Sequence, residues 1–208
     1  MRRTKEDAEQ TRLNILTSAM NIFYEKGYSK TTFDEIAKRI NLTKGAVYWY
    51  FRNKPDIVAA LINENAKKYF AEQRKIIPEG KVVDFDDIIN MHLYTNKRIC
   101  SDVNFYKFTF FVFCQMEWSE IVLTKIRPLI EETKKFSRSF VYDSLMQMQK
   151  DGKIKKDVDI HIITDILSCT YTGIIESFMT KRVNSDVDDL VKESFNFIFY
   201  SIKEENKQ

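Results

Sequence analysis

Apolar residues recur every three to four positions along most of the chain, which is the spacing of amphipathic helices. The stripe over residues 6–26 predicts a first helix, and Gly27 is expected to end it as a C-terminal cap. The same periodicity predicts six further long helices, over residues 54–77, 85–100, 104–118, 120–150, 157–181 and 186–203. The helix over residues 120–150 is expected to bend near Pro128. With the two short helices described next, the pattern indicates an all-α protein of about nine helices.

Residues 31–54, TTFDEIAKRINLTKGAVYWYFRNK, predict two short helices joined by a tight turn. Thr32 and Glu35 have the spacing of a capping box, in which each side chain satisfies the other's backbone N–H group. Asn41 tolerates a left-handed backbone, so a sharp turn costs little there. Thr43 is the expected N-cap of the second short helix. This arrangement is a helix-turn-helix, which occurs both as plain scaffold and as a DNA-reading element.

The second short helix has an unusual composition. Val47 and Phe51 are four residues apart and are expected to face the core. Gly45 leaves room for close approach to a major groove, and Lys44 can donate to guanine. Threonine and tyrosine hydroxyls, together with Lys54, suit phosphate contacts. The residues predicted to contact DNA are Thr31, Thr32, Thr43, Lys44, Gly45, Ala46, Tyr48, Trp49, Tyr50 and Lys54.

The order of these features resembles the DNA-binding domain of the tetracycline-repressor (TetR) family of bacterial regulators. The likeness includes the ILTSAMNIFYEKGY helix, the Thr pair, the turn, the Lys-Gly-Ala-x-Tyr-Trp core and the Phe-x-Asn-Lys exit. It is most similar to the branch that controls multidrug efflux, and it covers residues 12–61, under a third of the chain. Family members often have Gly where this chain has Asn41 and His where it has Tyr50. The second departure leaves open whether Tyr50 contacts phosphate or base.

The resemblance implies an N-terminal three-helix bundle that contains the helix-turn-helix, followed by a C-terminal helical ligand-binding and dimerisation domain. The predicted domains are therefore residues 1–53 and residues 54–208. Pro55 inside the start of the fourth helix, with Asn53 as its N-cap, leaves no flexible linker between them. We expect this helix to act as a stiff connection.

Charge is unevenly distributed along the 208 residues. The net charge is +3, but residues 1–54 carry +5 and residues 55–208 carry −2. This asymmetry is typical of a nucleic-acid-binding module joined to a nearly neutral partner. It places the positive charge on the segment that contains the helix-turn-helix.

The sequence favours neither a metal site nor an enzyme. Cys100, Cys114 and Cys169 are odd in number and widely spaced, which fits a reducing cytoplasm better than a disulfide framework. His92 and His161 are the two histidines, so a His-rich metal site is not expected. No Ser-His-Asp set or Gly-rich phosphate loop supports catalysis, and no cofactor is predicted. The N-terminus lacks the apolar run of a signal peptide, and no apolar stretch approaches the roughly 20 residues that cross a bilayer.

Residues 104–118, NFYKFTFFVFCQMEW, contain more aromatic rings than one helix face can bury. Core packing explains any single ring, whereas the set suits one wall of an apolar binding pocket. Glu117 or Glu176 would meet a ligand that carries a positive charge, or would lie at the rim of the core. The residues predicted to bind a small hydrophobic ligand are Phe110, Phe113, Cys114, Trp118, Tyr142, Met146, Tyr171 and Glu176.

The last two predicted helices carry apolar residues on more than one side. Surplus apolar surface of this kind suggests a twofold interface between two copies of the chain. The resemblance implies the same, since family members dimerise through the last two helices as a four-helix bundle. The residues predicted at the interface are Ile163, Leu167, Ile174, Phe178, Phe195 and Phe199.

These features predict a homodimeric, ligand-responsive transcriptional repressor. Each protomer would place residues 43–50 in a major groove of a palindromic operator in double-stranded DNA, and a small hydrophobic molecule would release it. Repression itself is implied by the family and not by the residues. A transcriptional activator and a ligand-independent DNA-binding protein of the same fold remain alternatives, and in the second case the aromatic run is simply core.

Overall fold

The computed structural model describes residues 4–77, 81–117, 119, 123, 124, 126, 128 and 140–204. Its helices are α1 (Lys5–Lys26), α2 (Phe33–Arg39), α3 (Lys44–Tyr50), α4 (Lys54–Ile76), α5 (Phe85–Ser101), α6 (Val103–Phe110), α7 (140–150), α8 (Ile160–Met179) and α9 (Val187–Ile202). A π-helical turn, Phe111–Gln115, directly follows α6. Within these described residues the structure contains helices and one isolated β-bridge, which confirms the predicted all-α class.

The chain divides into two compact units. The first unit comprises Met1–Lys68 with Val103–Glu131, and the second comprises Tyr69–Asp102 with Glu132–Gln208. The first three turns of α4 pack inside the first unit, since Ile57, Val58 and Leu61 are buried in its core. The division into a DNA-binding domain of residues 1–53 and a ligand-binding domain of residues 54–208 stays a prediction.

The first unit is built around α1, which packs against α2, α6 and the π-helical turn. Helices α1, α2 and α3 form the predicted three-helix bundle, and α2 packs closely on α3. Its fully buried side chains include Ile15, Phe23, Ile36, Val47, Ile57 and Phe111. The burial of Val47 at 0% and Phe51 at 5% exposure confirms the predicted inward face of α3.

The predicted helix ends of the first unit are also present. Thr32 accepts from the Glu35 N–H and the Glu35 carboxylate accepts from the Thr32 N–H, which completes the capping box. Thr43 caps α3 by accepting from the Ala46 N–H at 3.2 Å. Asn41 adopts the left-handed backbone with φ of 54°, and Gly27 ends α1 with φ of 86°. Local chemistry therefore determines where each of these helices begins or ends.

The segment predicted as one helix over residues 104–118 has a different form. Helix α6 ends at Phe110 and the backbone widens into the π-helical turn Phe111–Gln115. Trp118 lies outside the described residues, as does most of the helix predicted over residues 120–150. The part of this predicted helix that forms α7, residues 140–150, is helical as expected.

The second unit packs α5 and α8 against α9. Asp84, Asp159 and Asp186 cap the N-termini of these three helices. The end of α9 is held by an antiparallel bridge between Ile154 and Lys203. The core of this unit includes Ile88, Leu145, Met148, Leu167, Val191, Phe195 and Phe199.

His92 lies inside the second unit. Its Nδ1 is 2.7 Å from the carbonyl oxygen of Ile88, so Nδ1 carries the proton and donates it. The rings of Tyr171 and Phe195 lie against the imidazole, with centroids 4.5 and 4.9 Å away. Burial lowers the pKa of His92 to about 4, and the hydrogen bond to Ile88 opposes this effect without cancelling it.

We therefore expect the protein to lose stability as the pH falls from 6.5 toward 4. In the unfolded chain His92 binds a proton near its ordinary pKa of 6.5, whereas the folded chain binds it only near pH 4. The difference lowers the free energy of unfolding by roughly 3 kcal/mol across this window. Urea denaturation at several pH values, followed by helical circular dichroism, measures it. His92→Leu should flatten the dependence, and an unchanged slope in that variant would exclude His92 as its source.

Candidate nucleic-acid interface

The helix-turn-helix is held rigidly at its turn. The Leu42 N–H donates to the carbonyl oxygen of Ala37 at 2.9 Å, which closes the chain around Asn41. The buried Ser18 hydroxyl of α1 donates to the carbonyl oxygen of Ile36 at 3.1 Å. These bonds fix α2 and α3 relative to α1, so the direction of the outward side of α3 is set by the fold.

The outward surface of α3 is polar and aromatic. Thr43, Lys44 and Gly45 are exposed, while Tyr48 is 50% and Trp49 is 75% exposed. The Tyr48 ring packs against Phe33 and the Tyr50 ring against Trp49, each pair with centroids 4.7 Å apart. Ala46 and Tyr50 are partly buried beside them. The predicted DNA-reading residues of α3 therefore form one exposed surface, and their contact with DNA stays a prediction.

Ion pairs between α1 and α2 neutralise acidic residues of these two helices. Arg39 binds the carboxylate of Glu25 through two hydrogen bonds, at 2.6 and 2.9 Å. Lys26 binds Glu35, and hydrogen bonds from Lys26 and Thr32 lower the pKa of Glu35 to about 2. Within the described residues Lys44 forms no salt bridge, and its Nζ lies 5.8 Å from the centroid of the Tyr48 ring. A free cation thus remains on the outward side of α3.

Thr31 departs from the predicted contact set. Its side chain is 1% exposed, and its hydroxyl donates to the carbonyl oxygen of Gly27 at 2.8 Å. Its N–H donates to the carbonyl oxygen of Tyr28. Both donors are therefore used inside the α1–α2 turn, so the prediction that Thr31 holds a phosphate is corrected here. Thr32 is exposed and serves as the N-cap of α2.

Lys54 has structural partners. Its Nζ donates to the carbonyl oxygens of Tyr28 at 2.7 Å and Ser29 at 3.0 Å, and lies 4.5 Å from the centroid of the Tyr28 ring. Burial lowers the pKa of Lys54, and the nearby carboxylate of Glu117 opposes the change. The first residue of α4 thus holds the α1–α2 turn. A phosphate contact by Lys54 stays a prediction.

The predicted ligand residues are divided between the two units. Phe110, Phe113 and Cys114 belong to the first unit, on or beside the π-helical turn. Tyr142, Met146, Tyr171 and Glu176 belong to the second unit, and Trp118 lies outside the described residues. Within the second unit the Tyr171 hydroxyl donates to Asn96 at 2.9 Å, and Glu176 pairs with Arg182 at 3.2 Å. Ligand binding by this set stays a prediction.

Two cavities in the described part of the chain are lined by other residues. One of about 130 Å³ lies among α1, α4 and α6, with Leu16, Met20, Leu61 and Phe108 in its apolar wall. The other, an open cleft of about 350 Å³, lies between α5 and the start of α9. Neither contains a residue of the predicted ligand set.

Burial corrects half of the predicted dimer interface. Leu167, Phe195 and Phe199 are 2%, 0% and 3% exposed, because they pack inside the core of their own protomer. Phe195 contacts His92 and Phe199 contacts Phe85, both on α5. Ile163, Ile174 and Phe178 are partly buried.

A different apolar set is exposed on the last two helices. Ile162 and Ile166 on α8 are 57% and 41% exposed, and Phe197 and Tyr200 on α9 are 78% and 84% exposed. Helices α8 and α9 form an antiparallel hairpin, so the start of α8 and the end of α9 lie at the same end. We call these four residues the α8–α9 patch. The predicted interface did not include any of these four residues.

Glu117 makes a contact that the sequence did not predict. Its carboxylate accepts a hydrogen bond from the Ser29 hydroxyl in the α1–α2 turn. These two residues are 88 positions apart in the chain, and neither belongs to a local motif.

The described residues contain no group of three or more His, Cys, Asp or Glu side chains arranged to hold a metal ion. Among the described helices, none has both the length and the apolar character to cross a membrane.

Comparisons with known proteins find a family match over the helix-turn-helix segment. Residues 15–61 match the family model for bacterial regulatory proteins of the tetR family. The HTH-type transcriptional regulator TtgR of Pseudomonas putida is 44% identical over 63 residues, which are 30% of each chain. The probable acrEF/envCD operon repressor of Escherichia coli is 22% identical over 186 residues, 89% of this chain and 84% of that protein. The strong match thus spans under a third of TtgR and coincides with the helix-turn-helix.

A solved structure extends the likeness to the whole chain. The SmeT–triclosan complex has a TM-score of 0.78 and 20% identity, and covers 95% of this chain and 93% of SmeT. SmeT is the repressor of the Stenotrophomonas maltophilia multidrug efflux pump SmeDEF. At this identity the likeness shows a shared fold, with an N-terminal helix-turn-helix and a C-terminal helical domain.

The carbonyl contacts of Lys54 lead to a stability prediction. Lys54→Met keeps most of the apolar stem but removes two charge-assisted hydrogen bonds, so the free energy of unfolding should fall by about 1–3 kcal/mol. Urea denaturation measures the change. Lys30→Met, at an exposed position of the same turn, is the matched control and should stay within about 0.5 kcal/mol of the wild type. Unchanged stability of Lys54→Met, with DNA binding that depends on about one fewer ion, would instead assign Lys54 to a phosphate.

Proposed function

We propose that this chain, a member of the TetR family of bacterial regulatory proteins, is a cytoplasmic transcriptional repressor that binds a palindromic operator as a homodimer and leaves it when a small hydrophobic molecule binds. The observation that carries the proposal is the outward surface of α3. Its small residues, free cation and exposed rings stand on a rigid, capped scaffold in the positively charged part of the chain. These are the residue types that read base edges and hold phosphates in a major groove.

Residues at the start of α3 read the base edges directly. Lys44 donates to guanine, and Gly45 and Ala46 allow the helix to approach the base edges closely. A Cβ added at Gly45 would still meet only the Thr43 hydroxyl, at 3.9 Å, so the protein itself does not require glycine there. Close approach to DNA supplies the reason for a small residue. The Tyr48 and Tyr50 hydroxyls and the Thr43 hydroxyl lie around this point and contact phosphates.

The α8–α9 patch supplies the dimer interface. Phe197 and Tyr200 are the most exposed large apolar side chains in the described part of the chain, and Ile162 and Ile166 lie at the same end of the hairpin. In a twofold dimer the same patch serves both protomers, and four helices then meet. Two recognition helices related by this twofold axis read half-sites whose centres lie about 34–36 Å apart, or a larger multiple of one DNA turn.

Release by a ligand follows from a shift between two dimer geometries. A hydrophobic molecule that binds one geometry more tightly raises its population, and only this difference in affinity can move the equilibrium. Coupling of about 1–3 kcal/mol is typical of such systems. The solved structure of SmeT with triclosan supports a hydrophobic ligand for this fold. A cationic ligand is less favoured, because Arg182 already pairs with Glu176.

Selection of bound duplexes from a random DNA pool, at a fixed salt concentration, tests DNA recognition. The wild type should enrich a palindromic consensus with two half-sites. Lys44→Ala should weaken binding and relax the preference at one base position per half-site, by about 1–3 kcal/mol of discrimination.

Lys38→Ala is the control for this selection. Lys38 is exposed on α2 and pairs with Asp34 at 2.7 Å, so its loss should leave the base preferences unchanged. A bound pool without consensus would mean that only backbone attraction operates and would favour a ligand-independent architectural protein. An unchanged base preference in Lys44→Ala would remove Lys44 from direct readout.

Phe197→Asp should convert the dimer into monomers. A charge at the centre of an apolar interface, together with loss of an aromatic anchor, typically costs about 2 kcal/mol or more, or about thirtyfold in the dimer dissociation constant. Sedimentation equilibrium measures the change. Val82→Asp is the matched control, because Val82 is 69% exposed but lies outside α8 and α9. Dimers in Phe197→Asp as stable as those of the wild type would move the interface elsewhere.

A further inference from the structure

The π-helical turn Phe111–Gln115 is the most irregular backbone in the described part of the first unit. A π turn contains one residue more than an α turn, and such turns occur frequently at functional sites. Conversion to an α turn would rotate every later side chain by about 100° relative to α6, because an α-helix has 3.6 residues per turn. The side chains that follow the turn therefore have two distinct possible directions.

In the present register the turn is docked along the end of α1. Phe111 is 0% exposed and stacks on Phe23, with centroids 5.0 Å apart and ring planes at 11°. The Phe110 ring meets Tyr24 edge to face at 5.4 Å. The Gln115 Nε2 donates to the carbonyl oxygen of Tyr24 at 3.1 Å. Side chains at the start and at the end of this stretch thus contact the last turn of α1.

Glu117, two positions after the π-helical turn, contacts the turn between α1 and α2. The Glu117 carboxylate accepts from the hydroxyl of Ser29, whose carbonyl oxygen accepts from Lys54. Two residues further along the chain, Thr31 donates back to the Gly27 carbonyl oxygen, and Thr32 caps α2. A movement of Glu117 would therefore pull on a turn that ends at the N-cap of the helix-turn-helix.

The π register leaves one polar atom unsatisfied. Gln115 Oε1 is buried and has no hydrogen-bond partner among the described residues. An unpaired buried acceptor costs free energy, so this register persists only because the surrounding contacts favour it. The Phe111 stack and the Ser29–Glu117 hydrogen bond favour it, whereas the orphaned oxygen of Gln115 opposes it. Opposing contributions of this kind are what a two-state element requires.

We propose that the π-helical turn Phe111–Gln115 is a register switch and that Glu117 is the positioning residue through which it controls the α1–α2 turn. In the DNA-binding form the turn has π register, in which Gln115 donates to the Tyr24 carbonyl oxygen and Glu117 accepts from the Ser29 hydroxyl. In the released form the turn has α register, and both contacts are broken. The proposal rests on the proposed function, since it names the regulatory element of the same repressor.

The position of the turn in the chain gives a ligand access to the switch. Phe113 is 42% exposed and Cys114 is partly buried, and both belong to the turn itself. A change of register moves both side chains, so a molecule that contacts them has different affinities for the two registers. That difference is the requirement for a ligand to shift the population.

The first test is a double-mutant cycle with Ser29→Ala and Glu117→Ala, read out as affinity for the duplex selected by the wild type. Each single variant should weaken DNA binding about fivefold, and the double variant should be no weaker than either, because both remove one hydrogen bond. Additive losses, or no loss in the single variants, would overturn the role of Glu117. Failure of the wild type to select any duplex would refute the proposed function instead.

Hydrogen exchange tests the switch without DNA or ligand, on the full chain. Amides of residues 27–36 should exchange severalfold faster in Glu117→Ala than in the wild type, because the α1–α2 turn loses the hydrogen bond from Ser29 to Glu117. Deletion of Val112 removes the extra residue of the π turn while later side chains keep their directions. That variant should exchange more slowly over residues 27–36, because the second register is no longer available.

Residues 160–179 of α8 serve as the internal control and should exchange alike in all three proteins. Unchanged exchange over residues 27–36 in Glu117→Ala would overturn the proposal. Faster exchange there in a folded Val112 deletion would show that the π turn only supports the structure and would overturn the switch. If the deletion variant does not fold, the same conclusion about the switch follows, and the Ser29–Glu117 cycle still decides the role of Glu117.

Discussion

The ammonium group of Lys54 holds together the parts of the first unit that matter for function. It stands at the first residue of α4 and donates to two carbonyl oxygens of the α1–α2 turn. The same turn receives Glu117 from the segment after α6 and ends at the N-cap of α2. A charged donor in partly buried surroundings binds carbonyls strongly, because competing water is reduced. The direction of α3 thus depends on a turn held by α4 and by Glu117.

This arrangement explains how a short helix can have a precisely defined direction. Helix α3 has seven residues and buries one of them, Val47. A helix this short is not stable alone, so its shape and direction come from its surroundings. The cap at Thr43, the left-handed Asn41 and the packing of α2 supply these constraints from within the motif. The contacts of Lys54 and Glu117 add constraints from α4 and from the segment after α6, so a change in either place alters what α3 presents.

The sequence was most informative where local chemistry decides the structure. The capping box at Thr32 and Glu35, the turn at Asn41 and the inward pair Val47 and Phe51 depend on neighbours within about four positions. It was least informative where tertiary packing decides. Leu167, Phe195 and Phe199 are buried because α5 and α8 pack on α9. When a helix has two apolar sides, the periodicity of its sequence does not show which side faces the core of its own protomer. The π turn was also unpredictable, because a single extra residue leaves an apolar run looking continuous.

The two corrections to the predicted sites have the same physical origin. Thr31 has the right type for a phosphate contact, and Phe195 for an interface, yet both are used inside the protomer. A residue type states which interactions are chemically possible, whereas burial states which are still available. The side chains that stay exposed include Lys44, Tyr48 and Trp49 in the first unit and Phe197 and Tyr200 in the second. Exposure of aromatic rings to water is energetically unfavourable. The exposed rings on α3 and on the α8–α9 hairpin are therefore best explained by binding partners at both surfaces. DNA and a second copy of the chain match the chemistry of these two surfaces, which is why we propose them as the two partners.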